Sequence, residues 1–254
     1  MRDKDITDHF FDAKNSIDGL SDIESNQPLD YREVIYAYER TTYSSIYTID
    51  YEKKSFEYVS ENPLFLCGHS VEEVRQMGYS FYYRYVDKND LDLLLKINKI
   101  GFDFFEKLPI ADRRLFTISY DFNLHSEGQK ILVNQKLTPI YLTESGKIWK
   151  ALCVVSLSTK KRAGNISIYK KGSNYLSYYD LEEERWKSKE AILLSDREKQ
   201  IIQLSIRGFT INEIAVEMFV SPETIKFHRK KIFNKMEVTN MSEAIFYAAN
   251  NKLL

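Results

Sequence analysis

The chain holds 254 residues, of which 43% are hydrophobic and 14% aromatic, with nine Gly and five Pro. This is enough apolar material for one large core or two smaller ones, and it excludes a disordered or low-complexity chain. The formal net charge is only −1, so any strongly charged surface must be local. The longest apolar run, "ALCVVSL", is far too short to cross a bilayer, and no membrane contact is expected. The N-terminal "MRDKDITDHFFDAKNS" lacks the basic-then-apolar order of a signal peptide. Two lone cysteines, Cys67 and Cys153, form neither a CxxC pair nor a disulfide framework, which fits a reducing cytoplasm and buried structural thiols.

Residues 1–43 read as an N-terminal helical extension in which "YREVIYAYERTTY" supplies the helix, packing on the sheet domain or on a second subunit. From Ser44 the pattern changes. "SSIYTID" and "SFEYVS", separated by "YEKK", predict a hairpin whose strands alternate with a period of two. "SVEE" at Ser70–Glu73 predicts a capping box, and "DLDLLLKINKIGFDFFEK" a long packed helix beginning near Asp90. Three more strands follow, with turns at "HSEG" and "TESG". Alternation puts Phe116, Ile118, Tyr120 and Phe122 on one face of the first, and Ile131, Val133, Gln135 and Leu137 on one face of the second. Trp149, Ala151, Cys153, Val155 and Leu157 share a face of the third, so Trp149 is expected in the core. Two strands, several helices and three hairpin-linked strands make an α+β domain, an antiparallel sheet with helices against one face.

That order resembles a PAS domain. "SENPLFLCGHSVEEV" is similar to that family's stretch from the second strand to the early helices, and "VDKNDLDLL" to its Asp-led approach to the long helix. The resemblance implies a sensor or dimerisation domain over residues 44–160, with a cavity between the long helix and the sheet. Phe104, Phe105, Tyr120, Val133, Gln135 and Cys153 are its expected lining, against the plainer alternative that these side chains fill a core. Gln135 stands out because a polar amide on an apolar strand face needs a partner, and a small molecule can supply one. No cofactor is evident. Haem is disfavoured because the long helix carries no His, and flavin because "NPLFLCGH" does not match the cysteine-bearing N-C-R-F-L-Q motif of flavin-photoactive PAS domains.

Residues 161–192 read as a connector. "NISIYKKGSNYLSYY" predicts an extra hairpin turning at Gly172, and "DLEEERWKSKEAIL" a charged helix with Leu181, Trp186, Ala191 and Ile192 as its contacts.

Residues 193–254 carry helix starts and stops in tight order. "SDRE" makes a capping box of Ser195 and Glu198, and Gly208 stops the first helix. "TINE" repeats the box with Thr210 and Glu213, opening a short helix with Ile211, Ile214, Ala215 and Met218 on one side. "SPE" opens a third helix, Ser221 as N-cap and Pro222 in its first turn, after a spacer of only "FV". A short helix, a tight turn and a basic helix form the order of a helix-turn-helix reader of DNA. On a helical wheel Ile225, Ile232 and Met236 share one face with His228 at its margin, where a structural role is expected. Glu223, Phe227, Lys230 and Asn234 lie opposite, flanked by Lys226 and Lys231. A one-sided basic face after a bracing helix favours groove insertion over a merely solvated face.

The segment "LSDREKQIIQLSIRGFTINEIAVEMFVSPETIKFHRKKIFNKMEVTNMSEAIFYAANNKLL" resembles the LuxR/FixJ-type DNA-binding domain over its whole length. The motifs stand at Leu194–Glu198, Gly208–Ala215, Ser221–His228, Lys235–Val238 and Glu243–Ala244. The resemblance implies an all-α, four-helix helix-turn-helix unit whose third helix enters the major groove. Thr224, Lys226, Phe227, Lys230, Lys231 and Asn234 are then the expected DNA contacts, with Phe227 suited to a thymine methyl. The resemblance also implies pairing through the last helix, expected at Ser242, Ile245, Phe246 and Ala249.

The expectation is thus a cytoplasmic, homodimeric transcription factor, not an enzyme, acting on double-stranded DNA. An unknown small molecule or protein at the PAS-like domain, and RNA polymerase, are its further candidate partners. The alternative is a non-enzymatic interaction module in which both domains bind proteins.

Overall fold

The computed structural model describes Ser21 and residues 30–254; apart from Ser21, the part of the expected extension before residue 30 lies outside the described residues. Two compact units divide the chain, Met1–Thr42 and Tyr43–Leu254. In the first, helix α1 (Tyr31–Glu39) starts where the Asp30 carboxylate accepts from the Arg32 amide at 2.9 Å, and none of its side chains is buried.

The second unit opens with the expected hairpin of β1 (Ser45–Asp50) and β2 (Ser55–Val59). Helices α2 (Pro63–Leu66), α3 (Val71–Met77), α4 (Ser80–Tyr85) and α5 (Lys88–Glu106) follow. A 3-10 turn over Ile110–Leu115 leads into β3 (Phe116–Ser126), β4 (Gln129–Leu142), β5 (Ile148–Leu157), β6 (Gly164–Lys170), β7 (Tyr175–Asp180) and β8 (Arg185–Glu190). Among the described residues, all strands join one eight-stranded antiparallel sheet in the order β2-β1-β5-β4-β3-β6-β7-β8.

Local chemistry fixes the helix against this sheet. The Ser70–Glu73 capping box is present in both directions. α5 begins at Lys88, close to the expected start, with Asp87 as its N-cap; the Asp90 carboxylate is buried and accepts from the Asn123 amide and side chain, both at 2.7 Å, fastening the helix to β3. At the other end the buried Arg113 donates to the carbonyls of Glu106, Leu108 and Gly146 at 2.8, 3.0 and 2.6 Å, satisfying the acceptor that the helix end leaves free at Glu106 and tying it to the loops beyond.

The structure corrects three expectations. β1 does not alternate: every one of its residues is buried, so the strand is covered on both faces. Trp149 is not core but 40% exposed, its ring tilted against that of Tyr141 near a register break after Pro139, and Ile148 takes the buried place. The charged helix in the connector is absent. Residues 181–184 form a turn in which the Asp180 carboxylate accepts from the Glu182 and Glu183 amides at 3.0 Å, and Lys187 returns to Asp180 at 2.7 Å. Charges that suit a helix face at i,i+4 suit a turn equally well, and Trp186 decides: it pairs with Tyr179 across β7–β8 and packs 4.9 Å from Phe104. The hairpin expected at Gly172 is present as β6–β7.

Helices α6 (Asp196–Ile206), α7 (Ile211–Glu217), α8 (Pro222–Met236) and α9 (Met241–Asn250) make a separate core around Ile201, Ile202, Ile214, Ile225, Ile232 and Met236, each fully buried.

Candidate nucleic-acid interface and cavity

The start of α8 is built by Ser221, whose hydroxyl accepts from the Thr224 amide at 3.2 Å. Thr224 is half-buried and spends its own hydroxyl on Ser221. Burial of Ile225, Ile232 and Met236 turns the opposite side of the helix outward, leaving Lys226, Phe227, Lys230, Lys231 and Asn234 exposed. Lys226 leans 3.7 Å from Glu223, and the Lys231 ammonium lies 4.7 Å above the Phe227 ring. An exposed cation–π pair of this kind orients both side chains without burying either. His228 is half-buried beside Phe227, and its Nδ1 is buried without a hydrogen-bond partner.

On α9, Ala244 and Ala248 are buried in the four-helix core and Ile245 is half-buried against it. Ser242 and Ala249 are exposed, whereas Phe246 is 38% exposed and turns toward the outer face of the sheet.

Between α5 and the inner face of the sheet lies a cavity of about 570 Å³. Phe104, Phe105, Tyr120 and Gln135 line it; Val133 and Cys153 do not, being wholly buried in the neighbouring core. The Gln135 amide donates to the Tyr120 hydroxyl at 2.7 Å, and its carbonyl oxygen, fully buried, has no partner. Burial pushes the Tyr82 and Tyr120 hydroxyls well above the ordinary phenol range and the Cys153 thiol up to about 12, so these groups stay neutral. Among the described residues, Lys54 is the one charged side chain on the wall. Tyr79, Tyr83 and Leu95, all partly exposed, mark the mouth.

Residues 193–248 match the family described as bacterial regulatory proteins of the luxR family. The C-terminal segment is a LuxR-family domain. The CsgBAC operon transcriptional regulatory protein of Escherichia coli K12 is 39% identical over 67 residues, 26% of this chain and 31% of that protein. The oxygen regulatory protein NreC of Staphylococcus carnosus is 37% identical over 62 residues, 24% of this chain and 29% of that protein. The chain thus spans less than a third of the length of these curated relatives. Among solved structures, the Vibrio cholera VqmA–ligand–DNA complex aligns over 89% of this chain and 90% of that chain at 14% identity, with a TM-score of 0.35. The PAS domain of a Colwellia psychrerythraea protein covers 52% of this chain and 100% of that chain at 13% identity, with a TM-score of 0.39.

The LuxR-type motif residues have plain structural duties. Glu198 closes the capping box at Ser195 and also accepts from Lys235 at 2.7 Å, joining α6 to α8 at a point where the carboxylate is 3% exposed. Burial alone would raise its pKa; Lys235 and the Ser195 amide outweigh that and hold it below the ordinary carboxylate range. The sequence reading missed Phe219, which is 95% exposed at a φ of 54° in the turn between α7 and α8. Its signal was the two-residue "FV" spacer, which requires a backbone reversal and leaves the first side chain outside. Among the described residues no cluster of His, Cys, Asp and Glu can hold a metal, and no helix is long and apolar enough to cross a membrane.

Proposed function

We propose that this protein is a sequence-specific DNA-binding transcriptional regulator whose PAS-like domain receives an effector. The single observation that carries the reading is the division of α8 into a buried apolar face and an exposed face of Lys226, Phe227, Lys230 and Asn234, within a LuxR-type domain. Lys226 and Lys230 meet phosphates or base edges, Phe227 reads an apolar base edge, and Lys231, Thr224 and Asn234 flank the contact. Two copies bind an inverted repeat with half-site centres roughly 34–36 Å apart, since a single recognition helix contacts too few bases for selectivity.

The test uses the full chain and its selected duplex across a salt series. Removing Lys226 or Lys230 should flatten the slope of log affinity against log salt by about one unit each. Phe227→Ala should change the ranking of sites more than overall affinity. An unchanged slope in the Lys226→Ala/Lys230→Ala protein would instead favour the interaction-module reading, for which the exposed Phe219 and Val216 offer an apolar surface.

The cavity is the effector site in this reading, and the unpartnered carbonyl oxygen of Gln135 supports it, because a buried acceptor left unmade is costly. The effector is a largely apolar molecule with a hydrogen-bond donor. Compounds that raise the melting temperature of the full chain should lose that effect in Gln135→Leu, whose circular dichroism should match the wild type. Equal stabilisation of both proteins would remove Gln135 from the site.

A further inference from the structure

On the regulatory reading above, we infer that the outer face of β3 and β4 is a seat for the last helix of the LuxR-type domain, mechanically shared with the cavity on the inner face. Successive side chains of a strand point to opposite faces. On β3, Ile118 and Tyr120 line the large cavity, while Ser119 and Asp121 line a second one of about 90 Å³ on the far side. On β4, Gln135 and Leu137 line the large cavity, and Asn134 lines the small one. Strand pairing couples the two sets, since Tyr120 stands opposite Gln135, Ser119 opposite Lys136 and Asp121 opposite Asn134.

The far side is filled by α9. Phe246, Tyr247, Asn250 and Asn251 close the small cavity. The Lys136 ammonium donates to the backbone carbonyl of Asn250, one of the acceptors that a helix leaves free at its end. Lys160 is 2.6 Å from the Glu237 carboxylate and 5.7 Å from the centre of the Tyr247 ring. The polar bonds among these contacts are few, and two of the groups beneath them are poorly placed to be charged. Burial raises the Asp121 carboxyl above its ordinary range, and burial, aided by Lys252, pushes Lys136 down to about 8. A junction that desolvates charge for a handful of bonds is held weakly and can open.

Seating occupies Tyr247 and covers part of Phe246, which is left 38% exposed, so α9 cannot offer both rings whole to a second copy at the same time. The exposed side of α8 stays uncovered, and the seat therefore governs pairing and the relative setting of two DNA-binding heads, not access to DNA. A ligand that moves Tyr120 and Gln135 must carry Asp121, Asn134 and Lys136 with them, because they alternate on the same backbone. It opens the seat to the extent that it binds the unseated form more tightly.

Charge reversal in the full chain tests this. Lys160→Glu and Glu237→Lys each set like charges together and should speed amide exchange over residues 246–251 at least about fivefold, in step with residues 156–160. The double reversal should restore slow exchange, and Lys136→Met, which keeps the side-chain length, should behave like the single reversals. Sedimentation should show the single variants dimerising at lower concentration than the wild type. Unchanged exchange in both single variants, or a double variant that exchanges as fast as they do, would overturn the seat. If Lys226→Ala weakens DNA binding while the reversals change nothing, the seat alone fails. A chain that shows the exchange pattern but binds no DNA keeps the seat and loses the regulatory reading.

Discussion

Phe122 and Trp149 are large aromatic residues on neighbouring regions of one sheet, yet their surroundings oppose each other. Phe122 is fully buried with its ring about 6 Å from those of Tyr82 and Tyr120, and its removal leaves a cavity that packed neighbours cannot collapse into. Phe122→Ala should therefore cost about 3–5 kcal/mol in urea unfolding. Trp149→Ala, at a 40% exposed position, should cost less than about 1 kcal/mol. Glu198 shows the same dependence for charge. Lys235→Met leaves its carboxylate buried without the ammonium; because the Lys235 side chain is itself 40% exposed, the loss should be about 1–2 kcal/mol of the LuxR-type domain's stability, below that of a fully buried pair. The folded pKa of Glu198 is depressed, so its contribution is complete above the unfolded value of about 4.3 and is lost as pH falls through the lower folded value. Acid titration of Lys235→Met should show less of that loss than the wild type; an identical acid limb would show that the pair does not set it.

Elements form here where short signals agree with a buried face. In α7 the Thr210 hydroxyl accepts from the Glu213 amide while the Glu213 carboxylate accepts from the Thr210 amide at 2.7 Å, so a helix of seven residues begins at a fixed place. Thr210→Ala should cost about 1 kcal/mol, read as a lower midpoint with an unchanged denaturant slope. Elements also fail where a local signal has two outcomes. The run from Glu182 to Glu190 satisfies helical charge spacing, but Asp180 starts a turn and Trp186 finds Phe104 and Tyr179, so the chain reverses and pairs with β7.

At the scale of the molecule, the consequence is that the sheet continues to Glu190. β6 covers the free edge of β3 and contributes the buried Ile166 and Ile168. A fragment ending at residue 160 should expose that edge and aggregate, whereas one spanning residues 43–192 should stay monodisperse and melt cooperatively in light scattering and calorimetry. Equal behaviour of the two fragments would show that β6 to β8 add nothing to the core.

The helices of the LuxR-type domain were legible from local signals. Its caps at Ser195, Thr210 and Ser221 act within one turn, and the apolar spacing of Ile225, Ile232 and Met236 leaves one way to turn α8, so local chemistry alone assigns its exposed face. In the sheet domain, alternation correctly put Tyr120 and Gln135 side by side on an inward face. Alternation does not say which inward residues meet a cavity and which meet other side chains. That is why Val133 and Cys153, on the same face as Gln135 or paired near it, lie in the core, and why Trp149 lies outside it. Period two gives the face of a strand; how far the helices reach along that face, and where a bulge breaks the register, depend on residues distant in sequence. The same limit applies to α9, whose sequence reveals a helix with a small-residue face, while only the fold brings Lys136 from the sheet to its end and Lys160 over its Tyr247 ring.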